Sequence, residues 1–446
     1  MPELVVSANG RFLTYADGRP FFYLGDTAWE LFHRTTRQEA DLYLSNRASK
    51  GFTAIQAVVL AEEEGLTEPN AYGELPLFSR DPTRPNEAYF AYVDDVVHKA
   101  NEYGLFVAML PTWGRWVANA PWAPPQPDEP IFTVENARVY GRYLGERYRN
   151  AQLIWVLGGD RPAAGVEPIW RAMAQGLAEG DGGEHLMTYH PYGASSSSTW
   201  LHDEPWLSFN MIQSGHARRA MANYRMITAD YAREPVKPVL DGEPRYEDHP
   251  VNWQPGNGWF DDLEVRQAAY WALFAGACGH TYGCHSIWQF WAPPRQPVSH
   301  ARTHWTAALD LPGAYDMRHA KALLLSRPYL TRIPDQSLAD DPGEATNRVQ
   351  ATRDGTLGQA DATYIMAYLS MLRGVTVDTR PIRSARLRLW WYDPREGVAL
   401  PLGTIANTGS YSARPPSTGP DWVLVIDDAS AGYPAPGASC WAEEDR

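Results

Sequence analysis

Cysteine and lysine are both scarce in this chain of 446 residues. Cys278, Cys284 and Cys440 are the only three cysteines, too few for a disulfide framework, and the odd number leaves at least one thiol free, which favours a reducing compartment. Only four lysines occur, Lys50, Lys99, Lys237 and Lys321, and none stands in a phosphate-binding or Schiff-base motif. Positive charge is outnumbered overall: Lys+Arg 39 against Asp+Glu 53 leaves −14 at pH 7, which repels a phosphate backbone and argues against nucleic acid as a partner. The longest nearly apolar run, Ala268 to Gly279, falls well short of the roughly 20 residues a membrane span needs, so no membrane partner is expected. The opening Met-Pro-Glu-Leu-Val-Val-Ser has neither the basic nor the apolar segment of a secretory leader, and the expected location is the cytoplasm. No Gly-x-Gly-x-x-Gly follows the first apolar run and no Walker A motif occurs, which argues against a doubly wound nucleotide-binding sheet; no cofactor is expected.

Aromatic residues, by contrast, are plentiful, at 12% of the chain with 18 tryptophans. That suits a large packed barrel, or a surface that stacks on sugar rings. Eight apolar or β-branched runs end at Asp26, Leu60, Leu110, Asp160, Tyr192, Gln213, Glu243 and Trp288. Segments of helical period follow them, such as Glu87 to Gly104 with apolar residues at i, i+3, i+4 and i+7. Eight alternating strand and helix units predict an α/β fold of the (β/α)8 TIM barrel type over residues 21–334. From 335 to 446 the helical period fades and alternating runs such as ARLRLWWYD and DWVLVIDD predict a smaller antiparallel β-sandwich domain. Residues 1–20 carry two turn signals, Asn9-Gly10 and Asp17-Gly18, and predict an N-terminal β-hairpin that plugs the barrel floor or joins the β domain.

In such a barrel the chemistry belongs at the C-terminal ends of the strands. Asp160 closes the fourth run and Glu243 the seventh, so the fold brings two carboxyl groups to one rim. Paired carboxyls suit glycoside hydrolysis, in which one neutral acid protonates the leaving oxygen while its ionised partner attacks the anomeric carbon or activates water. Asp241 and Glu247 flank Glu243 and are the rival carboxylates. Asp26 and Trp29, after the first strand, are expected to bind sugar hydroxyls and form an apolar wall. Gln56, Trp113, His190, Tyr192, Gln213, His285 and Trp288 are expected to read the sugar from other strand ends, and Trp113, Trp116 and Trp122 to line closing loops. Glu62-Glu63-Glu64 reads as a solvated loop. Cys278, His280, Cys284 and His285 lack the paired spacing of a structural zinc site, and no metal site is expected.

Three motifs, YLGDTAWELF (Tyr23 to Phe32), WVLGGD (Trp155 to Asp160) and PVLDGEPRYE (Pro238 to Glu247), resemble the apiosidase-like family, glycoside hydrolase family 140 and its relatives. The resemblance spans nearly the whole chain and implies a catalytic (β/α)8 barrel joined to a C-terminal β domain of the collagen-binding type. It implies Asp160 as acid/base and Glu243 as nucleophile. A retaining, exo-acting hydrolase is the expectation, with endo action open until the shape of the loops is known, and the resemblance implies a carbohydrate substrate ending in a furanose such as apiose, in plant pectin side chains or small plant glycosides. Alternatives are a glycosidase of the same family acting on another pentose or hexose, and a non-catalytic carbohydrate- or matrix-binding protein. The latter would leave the rim carboxylates spread apart or paired with arginine. A metal-dependent hydrolase would need convergent ligands such as His-x-His on the first strand, which FFYLGDTAW lacks.

Overall fold

A computed structural model describes residues 3–120 and 130–438; Trp122 and Cys440 lie outside them. Eight parallel strands form the barrel: β4 (Tyr23–Thr27), β5 (Ala54–Leu60), β6 (Phe106–Thr112), β7 (Leu153–Gly158), β8 (Met187–His190), β10 (Asn210–Gln213), β11 (Val239–Asp241) and β12 (Gly279–Tyr282). Every one coincides with a run read from the sequence. A two-residue strand β9 (Ser195–Ser196) pairs antiparallel with β10. Closure between β8 and β10 passes through Ser208 N to Met187 O at 2.8 Å and Thr188 Oγ1 to Phe209 O at 2.7 Å. Helices cover the outside; the one at Glu87–Glu102 begins at an Asn86 cap and buries Tyr89, Val93, Val96 and Ala100 on its inner stripe. No described helix is long and apolar enough to cross a membrane.

The N-terminal segment has three strands where a hairpin of two was expected: β1 (Leu4–Val6), β2 (Leu13–Tyr15) and β3 (Pro20–Phe21). The third forms because the turn at Gly18 returns the chain along β2 before it enters the barrel. Phe21 meets Phe106 at 5.1 Å and Phe12 meets Tyr329 at 4.8 Å, so this meander seals the floor at the N-terminal ends of the strands.

The C-terminal part is a six-stranded antiparallel sheet in the order β13 (Arg332–Pro334), β14 (Val349–Asp354), β15 (Tyr364–Leu369), β20 (Trp422–Asp428), β17 (Arg386–Asp393), β18 (Val398–Ala406). A ribbon of β16 (Val375–Asp378) and β19 (Ser410–Ala413) lies beside it. Its strands obey the period of two. Tyr364, Met366, Tyr368, Trp390, Tyr392, Val423 and Val425 join the core shared with the barrel. Ile365, Ala367, Leu369, Leu389, Trp391, Leu424 and Ile426 face a second core that includes Val375 and Val377 of the ribbon. Buried ion pairs reinforce the seam: Arg266 on the helix Asp262–Phe274 reaches Asp316 at 2.7 Å and Asp421 at 3.0 Å, and Arg327 reaches Asp427 at 2.9 Å.

Candidate active site

The chain leaves β7 through Gly158, Gly159 and Asp160, with φ of +93°, +113° and +51°. The glycines are required by space as well as by backbone angle. A Cβ on Gly158 would lie 2.3 Å from His190 O, and one on Gly159 would lie 2.7 Å from the Trp113 ring. Gly159 N donates to His190 O at 2.9 Å and its carbonyl accepts from Gly114 N at 3.1 Å, so the turn is clamped between the ends of β6 and β8. This clamp aims Asp160 across the barrel mouth.

Glu243 is placed by the turn after β11. Gly242 N donates to Ile212 O at 2.9 Å, Gly215 N donates to Glu243 O at 3.0 Å, and Gln56 Nε2 reaches across the barrel to Gly242 O at 2.9 Å. The carboxylate is 4% exposed. His216 Nε2 donates to its Oε1 at 3.1 Å, since a carboxylate can only accept, and His190 Nε2 approaches Oε2 at 3.0 Å as a charge contact with poor hydrogen-bond alignment. One ligand atom each of Asp160, His190 and Glu243 lie within 4.8 Å of one another.

The two carboxyls sit in opposite electrostatic settings. Burial, and then the negative charge of Glu243, push Asp160 up to about 6, although His190, the Gln213 amide and Arg161 pull the other way. Burial pushes Glu243 up as well, but the imidazoles of His190 and His216 together more than offset it and hold Glu243 down at about 2. Burial lowers His190, yet the two carboxyls raise it above its ordinary value. Between these limits one group is protonated and the other ionised, the division of labour that acid-assisted displacement requires.

A cavity of about 150 Å³ opens over the pair. Trp29, Trp113, Gln213, His285 and Trp288, all expected from the sequence, line it together with Asp160 and Glu243. Trp29 Nε1 donates to Tyr246 OH at 3.0 Å and its ring meets Trp113 at 5.1 Å. His285 Nε2 donates to Ser299 O at 2.9 Å, which leaves Nδ1 to accept from Trp288 Nε1 at 3.2 Å. Burial lowers His285 to about 4, so this imidazole is neutral at neutral pH.

Four expectations are corrected. His190 is fully buried against Glu243 and is not part of the lining. Asp26 lies outside the cavity, fully buried against the helix Arg37–Ser49, where it accepts from Tyr43 OH at 2.5 Å and Arg47 Nε at 2.6 Å. The strand's period of two puts Tyr23 inside the barrel and turns Asp26 outward. Gln56 does not face the sugar; its amide is spent below the cavity on Gly242 O and Tyr23 OH. Tyr192 is not part of the lining and packs on Trp200 at 5.9 Å. Neither rival carboxylate reaches the cavity. Asp241 accepts from Ser214 Oγ at 2.8 Å and Asn223 Nδ2 at 2.9 Å, and Glu247 accepts from Tyr282 OH at 2.5 Å and Gly313 N at 3.1 Å. Cys278 and Cys284 are buried free thiols.

His216, Tyr246, His249, Trp253, Glu62 and Glu63 also line the cavity, beside Val298 and Ser299, and were not expected there. All stand two or more residues beyond the strand ends. Glu62 and Glu63 are folded back by Glu63 N donating to Glu30 Oε1 at 3.2 Å and by Arg115 Nη1 donating to Glu62 O at 2.9 Å, so these two are half-buried at the cavity and only Glu64 of the run is exposed. Burial, then the charge of Asp160, push Glu62 up to about 8.

Residues 7–331 match the apiosidase-like catalytic domain, and residues 333–427 match a second family described as "putative collagen-binding domain of a collagenase". Among solved structures, one called a glycoside hydrolase is 33% identical over 96% of this chain and 97% of its own, with a TM-score of 0.87. Another, a glycoside hydrolase family 5 protein from Bacteroides vulgatus, is 32% identical over 98% of this chain and 95% of its own, with a TM-score of 0.88. A third B. vulgatus structure at 16% identity and a TM-score of 0.69 shares the fold, over 96% of this chain and 82% of its own. No curated protein matches the chain. With a catalytic-domain match spanning the whole barrel and two carboxyls poised across its mouth, the chain belongs to the apiosidase-like family of glycoside hydrolases.

Proposed function

We propose that this hydrolase is a retaining, exo-acting enzyme in which Asp160 is the acid/base and Glu243 the nucleophile. The observation that carries the reading is the carboxyl pair itself: oxygens within 4.8 Å, one group raised to about 6 and the other held at about 2. Retaining glycosidases place their carboxyls about 5–5.5 Å apart, whereas inverting ones need about 6.5–9.5 Å to admit a water between them. Asp160 protonates the glycosidic oxygen as Glu243 forms an ester with the anomeric carbon; ionised Asp160 then takes a proton from the water that cleaves the ester. His190 and His216 keep Glu243 ionised and fix its orientation. Among the described residues the partners of the Glu243 carboxylate are histidines and no arginine forms an ion pair with either carboxyl, which argues against a purely binding role.

A cavity of about 150 Å³ is of the size that takes one six-membered ring, and this supports removal of a single terminal residue. We assign it a terminal furanose such as apiose, on plant pectin side chains or small plant glycosides, by the family relationship. The test is sugar release from a panel of apiosides, arabinofuranosides and aryl hexosides by wild type and Glu243→Gln. Release of one terminal sugar, lost in the variant, is expected; release that survives the substitution would remove Glu243 from its role, and release from hexosides alone would remove the furanose.

A further inference from the structure

Trp253 is at once part of the cavity lining and 45% exposed. It ends the short turn Val251–Trp253, in which both Asn252 and Trp253 take left-handed backbone angles, φ +55° and +58°. A bulky residue rarely enters that region and stays there only where its surroundings impose it. Here Asn252 N donates to His216 O at 2.9 Å, Trp253 N to Pro250 O at 3.0 Å and Val251 N to Gly258 O at 2.9 Å. The indole stands perpendicular to the stacked imidazoles of His216 and His249, at 5.9 and 5.7 Å and 83° to each. Such a conformation, spent on a ring left nearly half open to water, is not explained by core packing, and the ring meets the carboxyl pair only at second hand, through His216.

The leaving group supplies a use for it. On the glycosidase reading the cavity takes one sugar ring, so whatever that sugar is attached to must lie at the mouth, where Trp253 lines the cavity and is exposed. We propose that Trp253 is the platform of a leaving-group subsite that stacks on a flat ring of the aglycone. A pyranose CH face and an aromatic ring offer the indole the same apolar surface. The inference rests on the glycosidase reading above. It makes Trp253 a specificity-determining residue that acts on binding while Asp160 and Glu243 carry the bond changes.

The test compares three β-apiofuranosides with one glycone: the methyl glycoside, which has no ring, the p-nitrophenyl glycoside, and a disaccharide with the apiose on a pyranose. Trp253→Ala should lower kcat/KM for the ring-bearing substrates about three- to tenfold relative to the methyl glycoside, the size of one ring stack, and Trp253→Phe should restore most of it. The ring-bearing substrate that loses more identifies the source of the aglycone. Both variants keep a Cβ, so the backbone demand is unchanged between them. Equal loss on all three substrates, or loss on none, overturns the proposal. If wild type cleaves none of them, the furanose assignment fails on its own. The platform is then decided by calorimetry of the p-nitrophenyl glycosides of apiose, arabinofuranose and glucose with Glu243→Gln, with and without Trp253→Ala. Binding weakened three- to tenfold by the second substitution supports the platform; absent or unchanged binding overturns it.

Discussion

Removing the negative charge of Glu243 should make Asp160 a stronger acid. The Glu243→Gln side chain keeps the size, and one acceptor oxygen, while deleting the charge that, after burial, does most to raise Asp160. With carboxyl oxygens within 4.8 Å and an effective dielectric of about 20, two unit charges interact by about 3 kcal/mol. The charge centres lie farther apart than the nearest oxygens, and the loss of Glu243 also removes part of what raises His190, whose positive charge lowers Asp160. About one to two pH units therefore remain as the expected fall from the value near 6. The readout is a 13C titration of the aspartate carboxyls in wild type and Glu243→Gln, with Asp160→Asn identifying the resonance. A midpoint that stays near 6 or rises would show that burial alone sets Asp160, and would refute the coupling on which the division of roles depends.

Other consequences can be checked alongside. With substrates whose leaving group needs protonation, kcat/KM should fall as pH rises through about 6, because Asp160 must be protonated in the free enzyme, and Asp160→Asn should cost about 10²–10⁴-fold on those substrates but far less on p-nitrophenyl glycosides. Gly159→Ala sets a Cβ 2.7 Å from the Trp113 ring at φ +113°, so urea unfolding should show a loss of about 2–4 kcal/mol together with lost activity. Arg266→Ala leaves Asp316 and Asp421 buried without their counter-charge and should cost about 3–5 kcal/mol in the same assay; a loss under about 1 kcal/mol would mean the seam is held by Tyr270, Tyr368 and their neighbours alone.

The positions of the eight barrel strands were legible in the sequence because each is a buried apolar run bounded by polar or glycine-rich residues. Asp160 and Glu243 were legible because strand ends converge on one rim whatever their separation along the chain. The failures come from finer geometry. Asp26 ends a run as Asp160 does, but it lies within β4, where parity decides the face, whereas Asp160 lies two residues past β7, where the glycines decide it. Gln56 points inward but below the cavity, a difference of depth that no pattern of polar and apolar residues encodes. His216, Tyr246, His249 and Trp253 sit on loops after β10 and β11, and their convergence depends on backbone hydrogen bonds such as Gly215 N to Glu243 O. The histidine in QSGH and the aromatic-rich stretch Tyr246 to Trp253 were the available signals, since they follow strands whose ends already carried candidate residues.

The most direct test of the central claim is the stereochemistry of the first sugar released, followed by 1H NMR before mutarotation. Retention at the anomeric carbon is the predicted result, since the facing oxygens of Glu243 and Asp160 lie within 4.8 Å, on the side of the shorter carboxyl spacing that a covalent intermediate uses. A first product with inverted configuration would contradict the account and make Glu243 a base instead of a nucleophile.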